Sequence, residues 1–155
     1  MKKIITAVLF LQFFGTSCGM YNAAETDPRN MMSKIENNMS SLSHSFTITS
    51  AEKIKLDAKK HAKTIKNYND EVFGLEKVRL EEIINTLNMA IDAAKIQEKF
   101  SSCKERDEKK IKGLQTEART VLNRLTCNLS EYCGYFSAIR LLFIDKMNKI
   151  SNTGQ

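Results

Sequence analysis

The sequence predicts an all-α fold, an antiparallel bundle of four to five helices that follows a cleaved signal peptide. Two observations support this prediction. Apolar residues recur every three or four positions after Asp27, which is the spacing of an amphipathic helix, and no stretch alternates like a half-buried strand. The 155 residues also include only one proline and six glycines, too few for a turn-rich β fold. Because the predicted connections are short, consecutive helices are expected to run antiparallel.

The first residues have the order of a secretory signal peptide. Lys2 and Lys3 supply positive charge, an apolar run covers 4–14, and small residues follow at 15–19. The run is shorter than the roughly 20 apolar residues that cross a bilayer. It therefore predicts a leader and not a membrane span. We divide the chain into a signal peptide (1–17), a tether (18–27), a helical domain (28–150) and a tail (151–155).

The end of the leader carries the one family resemblance in the chain. Ser17-Cys18 resembles the end of a bacterial lipobox, and the Met-Lys-Lys start and Asn/Lys/Ile-rich body are similar to those of spirochaete surface lipoproteins. The resemblance covers only the leader and the composition, and it implies that Cys18 is lipidated and holds the protein on the cell. Gly15 stands where a lipobox usually has an aliphatic residue. An ordinary signal peptidase cut beside Ser17 or Gly19, as in a secreted eukaryotic protein, is the alternative.

Capping residues predict where the helices begin. Asp27-Pro28 suits the start of the first helix. Thr49 and Glu52 have capping-box spacing and predict the start of the second, and Ser130 is the expected cap of the last. The second helix either ends at residues 67–70 or continues through them. The stripes expected to form the core are Met31, Ile35, Met39, Leu42; Ile54, Ala58, Ala62, Ile65; Leu80, Ile83, Leu87, Ile91, Ala94; Ile111, Leu114, Ala118, Val121, Leu125; and Tyr132, Phe136, Ile139, Phe143, Ile150.

Catalytic patterns are missing from the sequence. His44 and His61 do not have a metal-binding spacing, and there is no Gly-rich phosphate loop, G-x-S-x-G or C-x-x-C. The many carboxylates alternate with basic residues, as in 104–110, which is typical of solvated helix faces. We therefore expect no enzymatic activity, no metal and no cofactor.

Lysines are concentrated in the second predicted helix. Lys59, Lys63 and Lys66 share one side of it, and Lys55 adjoins them, at about 100° per residue. The chain carries +6, and removal of the two leader lysines leaves +4. The row predicts binding to a polyanion, either an acidic polysaccharide or an acidic protein, and the alternative is a solvated outer face. Nucleic acid is not expected, because no aromatic residue is interleaved for base stacking.

Four cysteines make a disulfide reasonable in an exported protein. Cys127 and Cys133 flank the corner before the last helix, and we predict that they form a bridge. Cys103 is expected to lie at the start of the fourth helix, which ends near Cys127. If that helix is continuous, the two cysteines are about 36 Å apart, and a disulfide needs Cα atoms within about 7 Å. Cys103 is therefore expected to stay free, or to pair with Cys18 or a second chain.

These features predict an exported, non-enzymatic surface protein, anchored by lipid, that binds a host or envelope macromolecule. The alternative is a freely secreted eukaryotic helical effector or a carrier of small apolar ligands. In that case the sequons at Asn38 and Asn128 become candidate glycosylation sites.

Overall fold

The computed structural model describes residues 28–104, 107–127 and 134–153. These residues form five α-helices and no strand, which confirms the all-α prediction. The predicted signal peptide and tether lie outside the described residues. The helices are α1 (Pro28–His44), α2 (Ile48–Ile65), α3 (Asp70–Ser101), α4 (Glu108–Thr126) and α5 (Tyr135–Ser151).

The helices pack as an antiparallel bundle because their connections are short. α2 packs against α1 and α3, and α5 packs against α1, α3 and α4. Glu36 of α1 marks one level of the bundle, since its carboxylate lies 3.0 Å from Arg79 of α3 and 3.5 Å from the hydroxyl of Tyr135 in α5. One end of the bundle, which we call the tip, therefore contains the beginning of α1, the corner at 66–69 and the first turns of α3.

The core forms where the apolar stripes of the five helices meet. Each helix turns one face inward, and removal of these faces from water is the main source of stability. The middle of α3 is buried on several sides because α2, α4 and α5 all pack against it. The largest fully buried side chains are Phe143, Ile35, Met39, Ile65, Leu80, Ile83, Leu87, Leu125, Ile139, Met147 and Thr86.

The start of α2 differs from the prediction. Thr47, and not Thr49, is the N-cap, and its hydroxyl accepts a hydrogen bond from the backbone N–H of Ser50 at 3.2 Å. Phe46 and Ile48 pack against the core, which favours a helix that begins early. The predicted capping box was therefore wrong, because tertiary contacts around the corner outweigh the local motif.

The sequence left open whether the second helix ends at residues 67–70 or continues through them, and in the structure the helix is broken there. Asn69 caps α3, and its side chain accepts a hydrogen bond from the N–H of Glu71 at 2.9 Å. Lys77 closes the end of α2, since its Nζ donates to the carbonyls of Lys66 at 3.1 Å and Tyr68 at 2.8 Å. A lysine that binds these terminal carbonyls stabilises a helix end.

Cys103 lies in the connection between α3 and α4, so the prediction that it begins the fourth helix was wrong. The N–H groups of Ser102 and Cys103 bond to the carbonyls of Glu98 and Phe100, which ends α3 with a closed turn. The fourth helix begins only at Glu108.

The start of the last helix was predicted at Ser130, which lies outside the described residues. The described part of α5 begins at Tyr135, after Gly134 with φ of 69°. This left-handed conformation favours glycine because it has no Cβ. α5 then continues to Ser151, one residue past the predicted boundary of the helical domain.

Candidate functional site

The predicted lysine row lies on the outward side of α2. Lys59, Lys63 and Lys66 are exposed, and Lys55 is half-buried. We call these four residues the lysine face. A helix turns about 100° per residue, so this face is centred roughly 115° around α2 from the middle of its buried stripe. The buried residues of α2 are Ala51, Ile54, Ala58, His61 and Ile65.

The ammonium groups of the lysine face have no ion-pair partner among the described residues, where no carboxylate lies within 4.0 Å of them. Two nearby carboxylates are paired with other lysines. Glu52 pairs with Lys95 at 3.3 Å, and Asp70 pairs with Lys77 at 2.6 Å. The positive charge of the lysine face is therefore available to an external anion.

The structure adds two lysines that the predicted row leaves out. Lys53 and Lys60 are exposed, and Leu56 beside them is 52% exposed. They stand further around α2, and the sequence does not say whether a neighbouring helix covers that side. Together, α2 and its C-cap present six lysines against two carboxylates, Glu52 and Asp57.

A buried histidine attaches α2 to α3 behind the lysine face. His61 is 3% exposed, and its Nε2 lies 2.5 Å from Oε1 of Glu76 in α3. Sequence reasoning examined His61 only as a metal ligand and missed this contact. The signal was its position on the apolar stripe between Ala58 and Ile65. Because the contact fixes α2 against α3, it also fixes the direction in which the lysine face points.

The predicted disulfide stays a prediction, because Cys133 lies outside the described residues. Cys127 is exposed at the end of α4, and its carbonyl accepts a hydrogen bond from Arg140 of α5 at 2.8 Å. Cys103 is half-buried, and its thiol lies 3.3 Å from the carbonyl of Lys99. α4, which lies between Cys103 and Cys127 along the chain, is about 28 Å long, since its 19 residues rise about 1.5 Å each.

Of the three remaining candidate modification sites, Asn38 lies within the described residues. Cys18, the predicted lipidation site, and the sequon at Asn128 lie outside the described residues. Asn38 lies in the middle of α1 with a half-buried side chain, beside a shallow groove lined by Ser41 and Lys53. Glycans are usually carried on exposed surface positions, so this setting does not favour a glycan at Asn38.

A cleft of about 870 Å³ opens at the end of the bundle opposite the tip, where α1 meets α2. Phe46 contacts Phe143 edge-on with ring centroids 4.8 Å apart, and Lys146 places its Nζ 5.1 Å from the centroid of Phe143. His44 and Ile48 complete this part of the wall. The sequence stripes place Phe143 in the core but give no sign of a cleft above it.

Neither a metal centre nor a membrane span is found in the described part of the chain. Its helices contain no group of three metal-ligating side chains. None of these helices combines the length and the apolar character that a bilayer crossing needs.

Comparisons of the chain with protein-family models, with curated proteins and with solved structures found no match.

Proposed function

We propose that this is an exported, N-terminally anchored, non-enzymatic surface protein that binds an acidic macromolecule through the lysine face of α2. The observation that supports this function best is the set of lysines on α2 that are exposed and have no carboxylate within 4.0 Å among the described residues. An acidic polysaccharide or an acidic protein surface is the partner chemistry that this face fits.

The spacing of the lysines favours a repeating anion. Lys59, Lys63 and Lys66 span eight residues, and the first and last of them are about 10 Å apart along the helix axis. Like charges at this distance repel each other, and a ligand with regularly spaced negative groups relieves this repulsion. Exposed charges interact weakly one at a time, so binding requires several contacts together and weakens as salt is added.

The leader supports the anchored form of the proposal. A basic start, an apolar run and Cys18 after small residues have the order of a lipoprotein leader. Mass spectrometry of the mature N-terminus tests this part directly. A diacyl or triacyl mass on Cys18 supports anchoring, and an unmodified start at another residue contradicts it.

Heparin chromatography tests the lysine face. The triple variant Lys59→Glu, Lys63→Glu, Lys66→Glu should lose retention while its helical circular dichroism is unchanged. The matched control is Lys109→Glu, Lys110→Glu, Lys112→Glu on α4, where the three lysines are also exposed and the net charge changes equally. Retention lost in both variants indicates a nonspecific charge effect, and retention kept in the α2 variant contradicts the proposed face.

The cleft at the end opposite the tip favours a second candidate, a carrier of a small amphipathic anion. Its volume of about 870 Å³ suits a small molecule, and it combines aromatic rings with the ammonium group of Lys146. Displacement of a fluorescent fatty acid tests this candidate. Lys146→Glu should weaken binding of the fatty acid, and equal binding by both proteins contradicts the candidate.

A further inference from the structure

Exposed apolar side chains are concentrated at the tip. Among the described residues, six large apolar side chains are exposed, and four of them fall within residues 68–78. Leu75 is 90% exposed, Val72 62%, Val78 57% and Tyr68 45%. The three aliphatic residues follow each other at intervals of three along the first turns of α3. We call these four side chains the apolar tip face.

The apolar tip face is uncovered because α3 extends beyond the described parts of α4 and α5. The contact of Glu36 with Arg79 and Tyr135 marks the level at which α5 begins. Arg124, near the end of α4, reaches α3 only at Asp92. The residues of α3 before Arg79 therefore have α1 and α2 as their described neighbours.

The chain enters the described domain beside this face. Met32 of α1 lines a groove together with Val72, Leu75 and Val78. Pro28, where α1 begins, lies four residues earlier, about 6 Å along the helix. Ten residues separate the end of the predicted leader from Pro28, and ten residues reach at most about 35 Å when fully extended.

From this juxtaposition we infer that the apolar tip face docks onto the outer surface of the bilayer that holds the Cys18 lipid. The inference rests on the anchoring in the proposed function. A lipid at Cys18 keeps the face within about 35 Å of the bilayer, so the docking step is intramolecular and a weak contact is well populated. The contact is stabilised by partial burial of Leu75 and its neighbours at the boundary between the lipid headgroups and the acyl chains.

The charges around the face are compatible with this contact. Three nearby carboxylates are already paired within the protein, so fewer free charges approach the lipid. Glu71 and Glu82 have no ion pair among the described residues, and Glu82 lines the same groove as Val72, Leu75 and Val78. Lys66 at the end of α2 offers one compensating charge. The paired carboxylates are Asp70 with Lys77, Glu76 with His61 and Glu36 with Arg79.

A second copy of the chain suits the apolar tip face less well. A stable protein interface uses about 20–30 residues on each side. The tip face has four apolar side chains, and ion pairs surround them. A bilayer needs no complementary shape and accepts a small apolar face, so the observations favour lipid over self-association.

Tryptophan fluorescence tests the inference, because the chain contains no tryptophan. Leu75→Trp places a reporter on the tip face. Leu141→Trp is the matched control on α5, where the native side chain is 56% exposed. The mature protein, with the lipid on Cys18 verified by mass, is reconstituted in vesicles of phosphatidylcholine with a minor share of phosphatidylglycerol. Only the Leu75→Trp emission should shift to the blue and be quenched by brominated phosphatidylcholine.

Each other outcome has a defined meaning. An unshifted and unquenched Leu75→Trp in verified lipidated protein overturns docking while leaving the anchor intact. If no lipid is found on Cys18, anchoring fails, and the non-lipidated protein is measured at high vesicle concentration, where quenching at Leu75→Trp still supports docking and its loss overturns it. A concentration-dependent blue shift without vesicles shows self-association and also overturns it. A second reporter on the tip face, Val72→Trp, should also be quenched. Adding Leu75→Glu to this variant should abolish the quenching, and unchanged quenching contradicts the inference.

Discussion

The first turns of α3 and its middle belong to one continuous helix of 32 residues, yet they bury their apolar side chains very differently. Leu80 and Leu87 are fully buried, whereas Val72 and Leu75 are mostly exposed. Both regions contain aliphatic residues at helical spacing. The difference comes from the neighbours, because the described parts of α4 and α5 flank the middle of α3 but do not extend to its start.

The two regions are also held by different forces. The middle of α3 depends on apolar packing, whereas the start of α3 depends on a few polar contacts to α1 and α2. Segments with few buried apolar contacts open locally at low cost, and binding regions are drawn from such segments. The contacts at the start are those of Glu76 with His61, Lys77 with the carbonyl of Lys66 and Arg79 with Glu36.

The largest expected effect comes from removing an apolar side chain in each region. Leu87→Ala leaves a cavity in a close-packed core and should lower the free energy of unfolding by about 2–5 kcal/mol. Leu75→Ala removes an exposed side chain and should change it by less than about 0.5 kcal/mol. Urea unfolding of the mature chain measures both. Equal losses would show that the start of α3 is packed like its middle.

A smaller effect is expected when the buried polar contact at the tip is broken. Glu76→Ala leaves His61 buried without its partner and should cost about 1–3 kcal/mol. The control is Glu52→Ala, which breaks the half-exposed pair with Lys95 and should cost less than about 1 kcal/mol. Thermal and urea unfolding compare the two variants. A negligible loss in Glu76→Ala would mean that this contact does not hold α2 against α3.

One buried polar group in the middle of α3, the hydroxyl of Thr86, should lower the free energy of unfolding. Thr86 is fully buried, and its hydroxyl has no hydrogen-bond partner among the described residues. Thr86→Val removes the unpaired hydroxyl at similar shape and should raise the free energy of unfolding by about 1 kcal/mol. In the control Thr120→Val, an exposed hydroxyl that donates to the carbonyl of Thr116 at 3.1 Å is lost, so no gain is expected. Destabilisation by Thr86→Val would indicate that the hydroxyl has a partner.

The smallest effect concerns the boundary between the two regions. Burial raises the pKa of Tyr135 from 10.0 to about 12, and the negative charge of Glu36 adds to the shift. The folded state therefore holds this proton more tightly than the unfolded chain, so the contribution of Tyr135 to stability should be constant below pH 10 and be lost between pH 10 and 12. Tyr135→Phe should lack this part of the fall in unfolding measurements across the range. Identical pH profiles would contradict the shifted pKa.

The fold class followed from local patterns, and the errors occurred where tertiary contacts decide. Helical periodicity identified the stripes that form the core, including Leu87 and Phe143. The start of α2 was misplaced because packing of Phe46 moves the cap to Thr47. The break between α2 and α3 stayed open because it depends on Lys77, whose contact with the terminal carbonyls comes from the next helix.

The site was predictable in chemistry but not in extent. Helical spacing placed Lys59, Lys63 and Lys66 together, but whether their ammonium groups are paired depends on neighbouring helices. The exposure of Leu75 was equally hidden, because a sequence does not give the relative lengths of packed helices. The cleft at Phe46 depends on four helices meeting and has no local signature.

The salt dependence of heparin binding tests the central claim most directly, because it reports how many lysines contact the polyanion. Calorimetric titrations over a series of salt concentrations give the slope of log K against log salt, to which each lysine contact contributes about one. The account predicts that the neutral α2 variant Lys63→Gln still binds but reduces this slope by about one, while the α4 control Lys110→Gln keeps it. An unchanged slope in the α2 variant would contradict the claim that the lysine face of α2 binds the acidic partner.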